Sequence, residues 1–152
     1  MIIAPLLLGL AALALLPGAI KRVPAGQVHS VYRLGKPRRL LDAGTHVVLP
    51  GVDRIGHRID LAGQTLRFHE PVPGHADVHG TVYWQVLEPE RADAVIEQAA
   101  QLIRRGARDA LRQQPDADRA DRRDLGSRLK LALNGVLRER GMLVTRVELD
   151  FA

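Results

Sequence analysis

The chain opens with an unbroken apolar segment before any alternation of hydrophobic and polar positions begins. Residues 1–20 carry no charged side chain, and Lys21 and Arg22 follow at once. Twenty residues of α-helix extend about 30 Å, roughly the thickness of the hydrocarbon core of a bilayer. We therefore predict a membrane anchor over residues 1–20 and one further domain over residues 21–152. The residues assigned to the anchor are Ile2, Ile3, Leu6, Leu7, Leu8, Leu10, Leu13, Leu15 and Leu16.

Two other interpretations of this segment fit less well. A secretory signal peptide would begin with basic residues and end in a small-residue cleavage site, and residues 1–20 match neither feature closely. A buried core helix would be shorter and would show a polar stripe. If Pro17-Gly18 ends the helix, about fifteen residues remain, which favours a tilted or incompletely spanning anchor.

The middle of the chain alternates with the period of two that is typical of β-strands. Residues 77–87 are the clearest case, because Val78, Val82, Trp84 and Val86 share one face of the predicted strand. A strand is predicted over residues 27–34, with Val28, Tyr32 and Leu34 on one face. The sequence Gly35-Lys36-Pro37 is predicted to end this strand. The other predicted strands are 45–49, 54–60, 64–68 and 143–151.

After residue 90 the apolar positions recur with helical spacing. One predicted helix runs from Ile96 to Leu111, and a second has an apolar face formed by positions 125, 129, 132/133 and 136/137. Asp116, Asp118 and Asp121 are candidate N-caps of the second helix, and Gly141 is the candidate residue that ends it. Strands grouped ahead of helices predict an α+β fold, with a mostly antiparallel sheet covered by two helices and a closing strand.

Composition excludes several classes of function. The net charge is +5, but Arg and Lys are interleaved with Asp and Glu over residues 91–152, which indicates a solvated surface rather than a nucleic-acid track. The chain has no cysteine, so disulfides, thiol chemistry and cysteine metal sites are excluded. The absence of cysteine suits a reducing compartment.

The residues that carry chemistry form no recognisable catalytic pattern. All six histidines lie between His29 and His79, and none has the spacing of a metal-ligand motif. Ser30 and Ser127 are the only serines, and neither lies in a nucleophile elbow. We therefore predict no catalytic residue, no cofactor and no metal.

An ordered set of short motifs resembles the stomatin/prohibitin/flotillin (SPFH, or Band 7) superfamily, and most closely its bacterial stomatin-like members. Each motif alone is weak, but their order and spacing behind an apolar N-terminus are specific. The motifs are VPAGQ at 23–27, VYRLGK at 31–36, LDAGTH at 41–46, LPGVDR at 49–54, IDL at 59–61, QTL at 64–66, VYWQV at 82–86, EPERA at 88–92 and GMLVTRVEL at 141–149.

The resemblance implies a non-catalytic scaffold that lies on a membrane, self-associates, and organises lipid microdomains or regulates membrane proteases. It also implies that an apolar segment lies in the membrane interface, although an ordinary core strand explains the same run equally well. The residues of this segment are Val47, Val48, Leu49, Pro50 and Val52. The sequence continues no further than Ala152, so a short form without the family's C-terminal coiled coil is expected.

We predict a membrane-anchored, self-associating scaffold whose partners are lipids and further copies of the chain, with a membrane protease as a further candidate partner. Basic residues follow the anchor, so the domain is expected on the cytoplasmic face. Arg104, Arg105 and Arg108 are candidate lateral contacts, with a solvated helix face as the rival interpretation. Two alternatives stay open: a small regulator of a membrane-bound protease, and an exported accessory domain of an envelope enzyme.

Overall fold

The structure is a computed structural model that describes residues 2–71, 77–114 and 120–151. Its contacts divide the chain into two compact units, Met1–Asp60 and Leu61–Ala152, and the apolar N-terminal segment is grouped with the first. Each unit is described by itself. Both are built from antiparallel strands, with helices added, so the predicted α+β class is confirmed.

The first unit carries one long helix followed by five strands. A two-stranded antiparallel ribbon joins β1 to β4, and a three-stranded antiparallel sheet has the order β3-β2-β5. Its buried core consists of Val23, Val31, Leu41 and Val48, against which Ile55 packs. The elements are α1 (Ile3–Ala19), β1 (Ile20–Val23), β2 (Gln27–Arg33), β3 (Lys36–Leu41), β4 (Gly44–Val47) and β5 (Asp53–Asp60).

The helix α1 differs from the prediction at its C-terminal end. It continues through Pro17 and Gly18 to Ala19, because a proline in the last turn removes one intrahelical hydrogen bond without blocking the turns before it. α1 therefore has 17 residues. No helix in the described parts of the chain is both long and apolar enough to cross a membrane.

Two strands of the first unit, β1 and β3, were not predicted, and two predicted strands end early, at Arg33 in β2 and at Val47 in β4. Leu34 lies outside β2 in an exposed turn, where it and Gly35 have φ values of 52° and 76°. Positive φ at both central residues is the geometry of a tight hairpin turn, so the chain reverses here and continues as β3. β3 tolerates Pro37 because it is an edge strand. β1 was interpreted as the polar flank of the anchor.

The second unit is a three-stranded antiparallel sheet, of order β6-β7-β8, packed with helices. Short 3₁₀ helices, Asp93–Gln98 and Arg138–Arg140, precede α3 and follow α4. The elements are β6 (Gln64–Glu70), β7 (Val78–Val86), α2 (Pro89–Ala92), α3 (Ala99–Arg112), α4 (Arg122–Leu137) and β8 (Met142–Phe151).

The predicted faces of the second unit are largely confirmed. Every second residue of β7 from Val78 to Val86 is buried. The apolar stripe of α4 is buried at Leu125, Leu129, Leu133 and Leu137. Ala132 and Val136 were wrongly assigned to it, because each lies one position before a buried leucine and turns toward solvent.

The helix boundaries of the second unit agree in part with the sequence. Gly141 has a φ of 72°, as expected of a residue that ends a helix, and its carbonyl accepts hydrogen bonds from the N–H groups of Leu87 and Glu88. Asp121 precedes α4 without a side-chain capping bond. Asp116 and Asp118 lie outside the described residues.

A buried amide joins α4 to the edge of β8. Asn134 is 8% exposed, its Nδ2 donates to the carbonyl of Val144 at 3.0 Å, and its Oδ1 accepts from the Val144 N–H at 2.7 Å. Both backbone groups of Val144 therefore point toward the helix rather than toward β7. The amide completes the pairing of an edge strand that would otherwise be open at this residue.

Replacing Asn134 should destabilise the second unit. Asn134→Ala leaves a buried N–H and C=O of Val144 unpaired, which we expect to cost about 3 kcal/mol. The measurement is denaturant unfolding of the full chain in mild detergent, followed by the fluorescence of Trp84, the only tryptophan and the strand partner of Val144. Leu131→Ala, an exposed site on the same helix, should be nearly neutral. Equal stability of both variants would contradict the prediction.

Candidate functional site

The helix α1 presents an apolar surface on all sides. None of its residues is buried, and its leucines are between 50% and 77% exposed. A helix that is apolar all round and uncovered by its own chain is typical of a segment that contacts lipid or a protein partner. Most of the exposed large apolar side chains among the described residues of the first unit lie on this helix.

A second apolar surface adjoins the end of α1. The Val48 N–H donates to the carbonyl of Ala19 at 2.7 Å, and Ile20 pairs with Val47 across the β1–β4 ribbon. A side-chain carbon added to Gly18 would lie 3.9 Å from Cβ of Pro50. The segment that follows β4 is therefore held against the last turn of the helix.

Residues 49–52 form a tight turn that we call the apolar tip. The Val52 N–H donates to the carbonyl of Leu49 at 3.3 Å, and Gly51 has a φ of 79°. Proline at the second position and a positive φ at the third are the signature of a type II turn. The turn exposes Leu49 and Val52, which are 51% and 45% accessible.

The predicted interfacial segment divides into exposed and buried residues. Val47 is 66% exposed and stands beside the tip, and Pro50 is also exposed. Val48 is only 4% exposed and belongs to the core of the first unit, so its assignment to the interface was wrong. The side chains of neighbouring residues in an extended segment point in opposite directions, which puts Val48 inward and Val47 outward.

Asp53 closes the base of the apolar tip. Its Oδ1 accepts from Nε of Arg33 at 2.7 Å, its Oδ2 accepts from the Leu49 N–H at 3.0 Å, and its own N–H donates to the Leu49 carbonyl at 2.9 Å. Its side chain is 3% exposed. The hydrogen bond from Arg33, followed by that from Leu49, lowers the pKa of Asp53 to about 2. Asp53 was not among the candidate residues predicted from the sequence. The feature that could have indicated its role is its position directly after an apolar turn.

Basic side chains surround the tip and the ribbon. Lys21 and Arg22 are exposed on β1, and the guanidinium of Arg39 donates to the carbonyl of Val47. Arg33 is also basic, but its guanidinium is bound to Asp53. The remaining cations lie beside exposed apolar side chains, an arrangement typical of membrane-surface contacts.

The candidate lateral residues on α3 do not behave alike. Nε of Arg108 donates to both carboxylate oxygens of Glu70 at 2.9 Å, and this bond raises the pKa of Arg108. Arg108 is therefore engaged within its own chain, 38 residues away in sequence. Arg104 and Arg105 are exposed on the same helix.

Among the residues that the structure describes, the histidines and surface clefts form no recognisable catalytic arrangement. His69 stacks on His79 with ring centroids 4.4 Å apart, and its Nε2 lies 3.0 Å from Asp77. Within residues 2–71, 77–114 and 120–151, no group of three His, Asp or Glu side chains could hold a metal ion. His75 lies outside those ranges. A shallow cleft of about 600 Å³ between α4 and β8 contains Ser127, whose hydroxyl donates to the carbonyl of Arg123.

A family model described as the SPFH domain / Band 7 family matches residues 21–148. The chain belongs to the SPFH domain / Band 7 family. Members of this family are generally non-catalytic, and they generally self-associate and associate with membranes. The resemblance given by the sequence motifs is thereby confirmed. No curated protein matches the chain significantly.

The match begins where α1 has already ended, at Lys21, and covers the ribbon and the tip. In this Band 7 chain the basic residues of β1, the apolar tip and the Asp53 pair therefore all lie in the family domain itself. α1 lies outside the matched residues.

Acid should loosen the base of the tip. The pKa of Asp53 lies near 2, below the ordinary value of 3.8, so its stabilising bonds are fully present above about pH 4 and are lost as pH falls toward 2. We expect hydrogen exchange at the Leu49 amide to accelerate over that interval, relative to the intrinsic rate. The Gln27 amide, which donates to the Pro24 carbonyl, serves as the reference. A Leu49 amide that stays protected at pH 2 would contradict the assignment.

Proposed function

We propose that this Band 7 chain is a non-catalytic scaffold that α1 and the apolar tip hold on a membrane and that self-associates there. The observation that carries the proposal is the contiguity of two exposed apolar surfaces in one unit. The Val48–Ala19 hydrogen bond joins the tip to the end of α1. Exposed cations on β1 follow the end of α1.

The apolar surface of α1 supports attachment by partial insertion. Burying one large aliphatic side chain stabilises by about 1.5–3 kcal/mol, and the anchor residues from Ile2 to Leu16 include nine of them. Even a fraction of this set would outweigh the loss of free motion on binding a surface. Seventeen residues extend about 25 Å, so the helix enters one leaflet or lies tilted in it.

The flanking charge supports a cytoplasmic location. Lys21 and Arg22 follow the apolar segment directly, and Lys36, Arg38 and Arg39 lie on the exposed strand β3. Lys and Arg are generally enriched on the cytoplasmic side of a membrane anchor. The anionic lipids of the cytoplasmic leaflet also attract basic segments next to the membrane. We therefore place the folded units on that face.

Self-association follows from confinement to two dimensions. Chains attached to one membrane meet at a high effective concentration, so weak contacts suffice for clustering. The exposed guanidinium groups of Arg104 and Arg105 provide such a contact if acidic side chains of a neighbouring copy face them. Arg108 contributes less, because Glu70 already binds it.

The anchor can be tested by placing charge in α1. Leu7→Glu with Leu10→Glu should move the chain from the membrane pellet to the supernatant, since two carboxylates in hydrocarbon cost roughly 5 kcal/mol, or about 10³-fold in partition. Leu131→Glu, at an exposed leucine of α4, is the matched control and should stay with the membranes. If the α1 variant also stays in the pellet, α1 is not the anchor.

Lateral contact can be tested by reversing charge on α3. Arg104→Glu with Arg105→Glu should reduce the size of particles of detergent-extracted protein seen by electron microscopy or mass photometry. Arg138→Glu, an exposed arginine at the end of α4, should leave the size unchanged. Unaltered particles would dismiss the α3 contact. A parent protein that is only monomeric or dimeric would instead favour a small regulator of a membrane-bound protease.

A further inference from the structure

Several polar backbone groups at the base of the apolar tip are paired within the chain. Pro50 has no N–H, and the carbonyl of Leu49 accepts two hydrogen bonds, from Val52 and from Asp53. The N–H groups that donate within the chain are those of Val48, Leu49, Val52 and Asp53.

Internal pairing is what a non-helical segment requires in order to enter lipid. Hydrocarbon supplies no donor or acceptor, so each unpaired backbone group costs several kcal/mol there. The Leu49 N–H would be one such group, and Asp53 Oδ2 binds it at 3.0 Å. The proline and glycine of the turn set its shape, whereas Asp53 supplies the bond that Leu49 needs.

The carboxylate that makes this bond is itself compensated. Arg33 binds the other oxygen of Asp53 at 2.7 Å, so no net charge is brought near the lipid by the pair. The Asp53 side chain is almost fully covered, whereas a third of the Arg33 side chain reaches the surface. A buried pair of this kind contributes little net stability by itself, which favours a role in holding a geometry.

We propose that Asp53 is a positioning residue for membrane contact: with Arg33 it holds residues 49–52 as a preformed apolar point that enters the lipid beside the end of α1. This inference rests on the proposed function, because it assumes that α1 is attached to a membrane. It adds that a polar side chain behind the turn controls the contact.

The experiment uses the absence of cysteine in the chain, which makes any introduced cysteine unique. Leu49→Cys reports on the tip and Leu10→Cys on α1, each labelled with the environment-sensitive dye NBD. The full chain is reconstituted in vesicles of phosphatidylcholine and phosphatidylglycerol, and brominated lipids serve as quenchers. In the parent background we expect blue-shifted emission and quenching at both positions.

Asp53→Ala should separate the two reporters. The label at position 49 should lose its blue shift and its quenching, while the label at position 10 keeps both. Asp53→Asn should retain part of the effect at position 49, because the amide oxygen still accepts from the Leu49 N–H. Asp42→Ala, at an exposed carboxylate of the same unit, is the matched control and should change neither label.

The possible outcomes are distinguishable. A lipid-buried label at position 49 in Asp53→Ala overturns the positioning role. A water-exposed label at position 49 in the parent, with position 10 in lipid, overturns insertion of the tip and leaves the anchor intact. Water exposure at both positions refutes the proposed function itself.

Amide exchange at Val31, a fully buried residue of β2, shows whether an Asp53 substitution unfolds the first unit or only displaces the tip. The proposal is supported if the Val31 amide stays protected from exchange in both Asp53→Asn and Asp53→Ala, while the label at position 49 loses its blue shift and quenching in the alanine variant. Loss of protection at Val31 in both variants would make Asp53 a residue of general stability and overturn it.

Discussion

The pairing of β1 with β4 is the constraint on which the first unit depends. β1 follows α1 without an intervening residue, and β4 leads directly toward the apolar tip. One short antiparallel ribbon therefore fixes where the helix leaves the folded body and where the tip stands. The hydrogen bond between Val48 and Ala19 extends this pairing to the last residue of α1. Both exposed apolar elements, α1 and the tip, are positioned by the same few backbone bonds.

In the second unit, the helix α4 protects the edge of the sheet. Its closing strand lies at the edge of the sheet, and side-chain and glycine contacts from α4 cover that edge. Asn134 binds both backbone groups of Val144, and Gly126 lets the helix approach so closely that an added Cβ would lie 2.8 Å from the carbonyl of Val147. Protection of the edge suits a protein that meets further copies of itself on a membrane, because open edges pair without specificity.

The sequence predicted those features that depend on local periodicity. The alternation in β7, the leucine stripe of α4 and the left-handed Gly141 follow from spacing alone. β3 could not be predicted in this way, since its proline is tolerated only because the strand lies at an edge. The burial of Val48 was equally hidden, because an apolar run does not reveal which side chain turns inward. Partners that lie far apart in sequence, such as Arg108 and Glu70, leave no local signal.

The proline in the last turn of α1 limits how deep that helix can sit. Position 17 supplies no N–H, so the carbonyl of Leu13, four residues earlier, loses its usual intrahelical donor. Such an oxygen needs a donor from outside the helix backbone, which hydration water or an ethanolamine or glycerol group supplies at the headgroup level. If α1 is attached to a membrane as proposed, the stretch from Leu13 onward would lie at the headgroup level and residues 3–12 among the acyl chains.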